Sequence, residues 1–175
     1  TRQLVEMMGG QIDYASTPGR GTTFHLTVIL EERSGGAPVS EIVPALRGRR
    51  VLCVDDNGTN RAVLQQQLEA WGMDVALAAD GPDALACLAV TEASGTPFDL
   101  AIVDMMMPGM DGAELARAIR AVPAHAHLPI LLLTSFAQRG QDAMAREAGI
   151  NETLTKPVRQ QQLIGAIARS LGLGP

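Results

Sequence analysis

From Val51 to the C-terminus, short apolar runs alternate five times with stretches of helical periodicity, and this alternation constrains the fold more than any other feature. The strands read at Val51–Val54, Asp74–Ala78, Leu100–Val103, Ile130–Leu133 and Asn151–Thr155. Helical patterns read at Thr59–Trp71, Pro82–Ala89, Gly112–Ala121, Gln141–Ala148 and Arg159–Leu171. Leu64, Leu68 and Trp71 fall on one helical stripe, and Leu115, Ile119 and Val122 on another. Ile130–Leu133 is apolar at every position, as a strand covered on both faces should be. Five strand–helix units with right-handed crossovers predict a doubly wound α/β domain with a five-stranded parallel sheet in the order 2-1-3-4-5.

The stretch ahead of this domain reads differently. Residues 1–30 predict the end of a helix at Arg2–Met8, stopped by Gly9-Gly10, and then a β-hairpin. Its strands would be Gln11–Ser16 and Thr22–Leu30, the second half-buried by the alternation of Phe24, Leu26, Val28 and Leu30 with His25, Thr27 and Ile29. One hairpin cannot bury enough surface to stand alone, so these residues are expected to be the tail of a larger domain. Residues 31–48 read as a linker, because Ser34-Gly35-Gly36-Ala37-Pro38 and Pro44 break any period. The expected division is therefore a remnant at 1–30, a linker at 31–48 and the α/β domain at 49–175.

Composition narrows the function classes. The net charge is −5 and only five of the 175 residues are aromatic, which argues against a nucleic-acid surface. No apolar run approaches the roughly 20 residues a membrane span needs. Cys53 and Cys87 form no metal or redox motif and read as small core residues of a reducing compartment. Thirteen of the fourteen basic residues are Arg; the single Lys is Lys156, a position suited to a compact ammonium.

The chemistry lies where the apolar runs end. In a doubly wound sheet, ligands bind beyond the carboxyl ends of the strands. Strand one ends in Asp55-Asp56, strand three in Asp104, strand four in Thr134-Ser135 and strand five in Thr155-Lys156-Pro157. Three carboxylates, a hydroxyl and an ammonium would meet at one edge. The carboxylates repel one another and invite a divalent cation; an all-oxygen donor set favours Mg²⁺ over zinc. A cation, a hydroxyl and an ammonium together suit phosphoryl transfer, with one carboxylate as nucleophile. Asp104, alone at the end of the central strand, is the best candidate, while Asp55 and Asp56 suit the metal. The competing reading makes these aspartates plain N-caps, although capping explains neither Lys156 nor the adjacent Asp55-Asp56 pair. A hydrolase with an Asp nucleophile would carry Asp-x-Asp after the first strand, and here Asp55-Asp56-Asn57 stands instead.

The same residues carry a resemblance. Val51–Asn57, Ala101–Gly112 with its Asp104-Met105-Met106-Met107-Pro108-Gly109 core, Leu133-Thr134-Ser135 and Leu154-Thr155-Lys156-Pro157 together resemble a two-component receiver domain, of flavodoxin-like topology. The resemblance implies that Asp104 is the phosphoacceptor. It implies that Asp56 is a direct Mg²⁺ ligand, that Asp55 completes the acidic pocket, and that the Met106 backbone carbonyl is a further ligand. Thr134 would be the switch hydroxyl and Lys156 its partner at the phosphoryl group, with a cis bond before Pro157. Asn57-Gly58-Thr59-Asn60-Arg61 resembles the receivers of hybrid sensor kinases in particular. Thr153 stands where many receivers have a switching aromatic, and Phe136 is the aromatic nearest to Thr134 in sequence. Met105–Met107 and Met110 are expected to pack around the phosphorylation loop or the core. His125 and His127, between Pro123 and Pro129, are expected to be solvated.

Leu4–Ile12 and Thr17–Phe24 resemble the last helix and hairpin of a histidine-kinase ATP-binding domain, with Gly19-Arg20-Gly21-Thr22 as its last glycine box. The other ATP-binding elements and the acceptor histidine are missing from this chain, so ATP binding by it is not expected. The implied function is a phosphorelay receiver in a bacterial hybrid kinase. It would take a phosphoryl group from phosphohistidine onto Asp104 with Mg²⁺ and catalyse only its own phosphorylation and dephosphorylation. Its partners would be the histidine kinase core, in the same chain or a dimer partner, and a histidine-phosphotransfer protein. Neither nucleic acid nor, for this segment, a membrane is an expected partner, and the location would be cytoplasmic even with a membrane-anchored parent kinase. The alternative is an interaction module that regulates the kinase without being phosphorylated.

Overall fold

Successive side chains of a strand point to opposite faces, and both faces of a five-stranded parallel sheet are covered in the computed structural model of the chain. The structure describes residues 10–17, 21–27, 39–135 and 142–173. The chain divides into two units, 1–35 and 36–175.

In the first unit, β1 (Gln11–Thr17) and β2 (Gly21–Thr27) form an antiparallel hairpin. Tyr14 lies opposite Phe24, their ring centroids 6.1 Å apart, and Ser16 and Thr22 share a hydroxyl hydrogen bond of 2.8 Å. Phe24 is exposed rather than half-buried, because a two-stranded sheet has no layer of its own to cover either face. The expected helix at 2–8 and the end of the second strand at 28–30 lie outside the described residues.

The second unit opens with α1 (Val39–Leu46), where the sequence reading expects linker. Pro44 lies inside this helix, and its missing N–H would be expected to end it. The helix holds because Ile42, Val43 and Leu46 fall on one face and pack into the core, Leu46 completely buried. A short apolar stripe thus outweighs one lost backbone bond.

Then follow β3 (Arg50–Val54), α2 (Gly58–Ala70), β4 (Asp74–Ala78), α3 (Gly81–Ala93), β5 (Leu100–Asp104), α4 (Gly112–Ala121), a 3₁₀ turn at Pro123–His125, β6 (Ile130–Thr134), α5 (Asp142–Glu147), β7 (Glu152–Thr155) and α6 (Gln160–Ser170). The sheet order is β4-β3-β5-β6-β7, all parallel, which is the expected 2-1-3-4-5 in the domain's own count. Among the described residues, no helix is long and apolar enough to cross a membrane.

The strands feed two cores. Leu52, Val54, Ala101, Val103, Ile130 and Leu132 face α3, α4 and α5, where Leu88, Leu115 and Ile119 meet them. Val51, Cys53, Leu100, Ile102, Leu131 and Leu133 face α1, α2 and α6, and the expected stripe Leu64, Leu68 and Trp71 packs there. Burial pushes the Cys53 thiol up to about 12, so it stays protonated as a small core residue. Helix α3 runs four residues beyond the expected end; Thr91 is buried in it and donates its hydroxyl to the carbonyls of Cys87 and Leu88. His125 corrects the sequence reading. It is buried against Glu92, Nε2 to Oε2 3.4 Å, while His127 is exposed as expected. The 3₁₀ turn folds His125 inward, a direction that a Pro-flanked loop does not reveal.

One glycine positions the functional edge. A Cβ at Gly112 would lie 2.5 Å from the Asp104 carbonyl oxygen and 2.7 Å from Leu132 Cδ1. Glycine therefore lets α4 begin hard against the end of β5.

Candidate functional site

The expected residues do meet at the carboxyl edge of the sheet. Asp55 follows the last residue of β3 and is completely buried; Asp104 is the last residue of β5 and Thr134 the last of β6, both buried. Lys156 follows β7, and its backbone N–H donates to the Thr134 carbonyl at 2.7 Å, continuing the pairing of β6 with β7. The Lys156–Pro157 bond is cis, as the resemblance implies.

Among the described residues, none of the three aspartates caps a helix. Asn57 caps α2, Asp80 caps α3, and Asp111 caps α4 in a capping box with Glu114. With those roles filled, Asp55, Asp56 and Asp104 are free for other work. One carboxylate oxygen from each lies within 4.8 Å of the others. Asp56 is exposed at the mouth, whereas the other two line the floor.

Lys156 ties the floor together. Its Nζ lies 2.9 Å from Asp55 Oδ2 and 2.9 Å from Asp104 Oδ1. Burial raises the Asp104 pKa, opposed by the Lys156 ammonium and by a hydrogen bond from the Met106 backbone. Burial pulls Lys156 down, but Asp104 and Asp55 together outweigh it and leave its pKa raised. The ammonium is thus charged at neutral pH. Three carboxylates against one ammonium still leave an excess of negative charge, and the donors are all oxygen. This set fits a hard divalent cation, whose charge would relieve the repulsion.

The methionines divide. Met105 and Met107 are buried and Met110 packs on the first core, in line with expectation; the Met106 side chain is 59% exposed beside the site. Thr153 sits in β7, partly buried, and Phe136 lies outside the described residues.

Asn57, Asn60 and Arg61 stand in the motif after the acidic pair with no role implied by the sequence alone. All three hold Asp55. The Asn57 N–H donates to Asp55 Oδ1 at 2.8 Å, and Asn60 Nδ2 lies 3.2 and 3.1 Å from the two carboxylate oxygens. Arg61 Nη1 donates to the Asp55 carbonyl at 2.6 Å. The available signal was spacing: Asn60 and Arg61 fall in the first turn of the helix that follows the acidic pair.

A doubly wound domain with three carboxylates and a bridging lysine at its switch edge defines a class, and comparison with known proteins places the chain within it. Residues 51–168 match the response regulator receiver domain family. The chain belongs to that family and is a receiver domain of two-component signalling. It is 38% identical over 141 residues to the sensor protein GacS of Pseudomonas syringae pv. syringae, covering 79% of this chain and 14% of that protein. It is 35% identical over 187 residues to the virulence sensor protein BvgS of Bordetella bronchiseptica, covering 97% of this chain and 15% of that protein. The chain therefore spans about a seventh of the length of these bacterial relatives. Among solved structures, it is similar to the receiver domain of sensor histidine kinase PA1611 from Pseudomonas aeruginosa PAO1, described with a magnesium ion coordinated in its active-site cleft. That likeness has a TM-score of 0.60 and 33% identity over 71% of this chain and 98% of that one.

Proposed function

We propose that Asp104 accepts a phosphoryl group from a phosphohistidine and passes it on in a phosphorelay. The observation that carries this reading is the placement of Lys156 Nζ at 2.9 Å from both Asp55 and Asp104, on the floor of a three-carboxylate pocket. An Asp104 oxygen attacks phosphorus, an acyl phosphate forms, and the P–N bond breaks with its electron pair returning to the donor imidazole. Lys156 holds one side of the transferred group by charge, and the Thr134 hydroxyl meets an oxygen of the product. Asp56 and Asp104, with the Met106 carbonyl, would hold Mg²⁺, which neutralises phosphoryl oxygens when bound. Asp55 completes the pocket.

The phosphoryl donor is the histidine kinase core of the same chain or a dimer partner, and the acceptor is a histidine-phosphotransfer protein or the kinase itself. Residues 1–30 are the end of a kinase ATP-binding domain, the described hairpin included, and the receiver acts in the cytoplasm. The support is the likeness to sensor proteins, which for BvgS extends over 97% of the chain.

Incubation with acetyl phosphate and Mg²⁺, followed by intact-mass spectrometry, tests the reading. One acid-stable, base-labile phosphoryl group is expected on the wild type and none on Asp104→Asn. Equal labelling of the two proteins would overturn the assignment.

A further inference from the structure

Asp55 is the most heavily held carboxylate of the pocket, and the way it is held assigns work to a residue outside the acidic cluster. Its Oδ1 accepts from the Asn57 backbone N–H at 2.8 Å, and its Oδ2 from Lys156 Nζ at 2.9 Å. The Asn60 amide straddles both oxygens at 3.2 and 3.1 Å. A carboxylate only accepts, so the amide group facing it must be the NH₂, and the orientation of Asn60 is fixed by chemistry. The Asn60 side chain in turn rides on the first turn of α2, which Asn57 caps by accepting from the N–H groups of Thr59 and Asn60. Arg61 closes the arrangement from behind through the Asp55 carbonyl.

We infer that Asn60 is a positioning residue for Lys156, acting through Asp55. The inference rests on the reading of Asp104 as acceptor and Lys156 as its partner. A carboxylate held only by Asn57 and Lys156 could turn about its Cβ–Cγ bond and carry the ammonium with it. The amide across both oxygens fixes the plane of the carboxylate, so that Oδ2 presents to Nζ at the point where Nζ also meets Asp104 Oδ1 at 2.9 Å. Lysine is a flexible point charge on a four-carbon stem, and its placement must come from its partners. Asn60 thus spends no contact on the phosphoryl group or the metal. It holds the group that holds the lysine.

The chain's single lysine makes the test direct. Labelling with ε-¹³C-lysine gives signal from one side-chain carbon, which belongs to Lys156. In the metal-free wild type, its two Hε protons should be resolved from each other and shifted from the urea-unfolded value. In Asn60→Ala they should collapse toward that value. Phosphorylation by acetyl phosphate at saturating Mg²⁺ should slow by about tenfold, the scale of losing a supporting hydrogen-bond partner. In a Lys156→Ala background the same substitution should cost less than about twofold, because the group it acts through is gone. Calorimetric titration with Mg²⁺ alone should show a smaller change in dissociation constant than the change in phosphorylation rate, since Asn60 contacts Asp55 and neither Asp56 nor Asp104. Asn60→Asp, of the same shape but with its donors replaced by an acceptor, should show the larger spectral collapse and serves if the alanine variant is poorly folded. An unchanged Lys156 signal in both variants would overturn the inference. So would a loss of phosphorylation accounted for by weaker Mg²⁺ binding, which would assign Asn60 to the metal instead. If the wild type takes no phosphoryl group at all, the acceptor reading fails, while the spectrum still decides whether Asn60 holds Lys156.

Discussion

The two poles of the sheet are built from similar charged residues to opposite ends. At the amino ends of the strands, the charged groups have partners. Arg49 Nη1 meets Asp99 at 2.8 Å, and the other oxygen of Asp99 accepts the Arg50 backbone N–H at 2.8 Å. Arg120 donates to the carbonyls of Gly149 and His125 and to Asn151, tying the end of α4 to the starts of β6 and β7. The Gly48 N–H reaches the Gly72 carbonyl at 2.8 Å, and α1 lays Leu46 into the core there. At the carboxyl ends, three carboxylates face one ammonium, with the Arg61 guanidinium held behind on the Asp55 carbonyl, and negative charge is still in excess. The difference separates stability from chemistry. One pole holds the fold closed with satisfied partners, and the other keeps an unmet demand for positive charge.

The sharpest way to break this division is to damage the matched pole and ask whether the chemistry notices. Leu46 is completely buried, so Leu46→Ala should cost about 3 kcal/mol through lost burial and the cavity left behind. Urea denaturation should show this as a lower midpoint. The phosphorylation rate of the folded fraction, measured well below the new midpoint, should match wild type. A parallel fall in that rate would mean the poles are coupled through α1 and α6.

The second test strains the unmatched pole. On the proposed function Mg²⁺ would bind the folded pocket and not the unfolded chain, so at ten times its dissociation constant it should add about 1.4 kcal/mol of stability. Asp56→Asn removes one of three mutually repelling charges. It should melt above wild type in chelator, yet gain less from Mg²⁺ and phosphorylate more slowly. A chelated variant that melts below the chelated wild type would show that the cluster stores no repulsion and that Asp56 serves the fold.

The same contrast explains what the sequence revealed. The strands were legible because residues such as Ile130–Leu133 are apolar throughout, and a strand buried on both faces permits nothing else. The site was legible because topology alone brings strand ends together: Asp55, Asp104 and Thr134 each end or follow an apolar run, and Lys156 follows the last strand. Helix α1 was not legible. Pro44 and the nearby glycines are local signals against a helix, and the packing of Leu46 that overrides them is a tertiary fact. His125 was missed for the same reason, since its burial against Glu92 joins two segments far apart in sequence. Asn60 was visible as a letter in a motif, but its work depends on the rotation of α2, which sets its amide across Asp55.

The smallest effect, and the one most specific to the unmatched pole, is its response to pH without metal. The Lys156 pKa is raised in the folded protein because the two carboxylates outweigh the penalty of burial. A raised folded pKa means that its stabilising contribution is complete below the unfolded value, about 10.4, and is lost as pH rises through the folded one. Asp104 runs the other way. Burial raises its pKa above the ordinary carboxylate value, so its ionisation opposes folding above about pH 3.9, and the strain is relieved as pH falls through the raised value. In chelator, the melting temperature of wild type minus that of Lys156→Gln should therefore be flat from pH 7 to 9 and shrink above pH 10. Asp104→Asn should gain most over wild type near neutral pH and lose that gain on acidification. A Lys156 difference that persisted unchanged beyond its titration would show that the side chain acts by packing its stem rather than by its charge. The balance of charges would then not be what distinguishes this pole from the other.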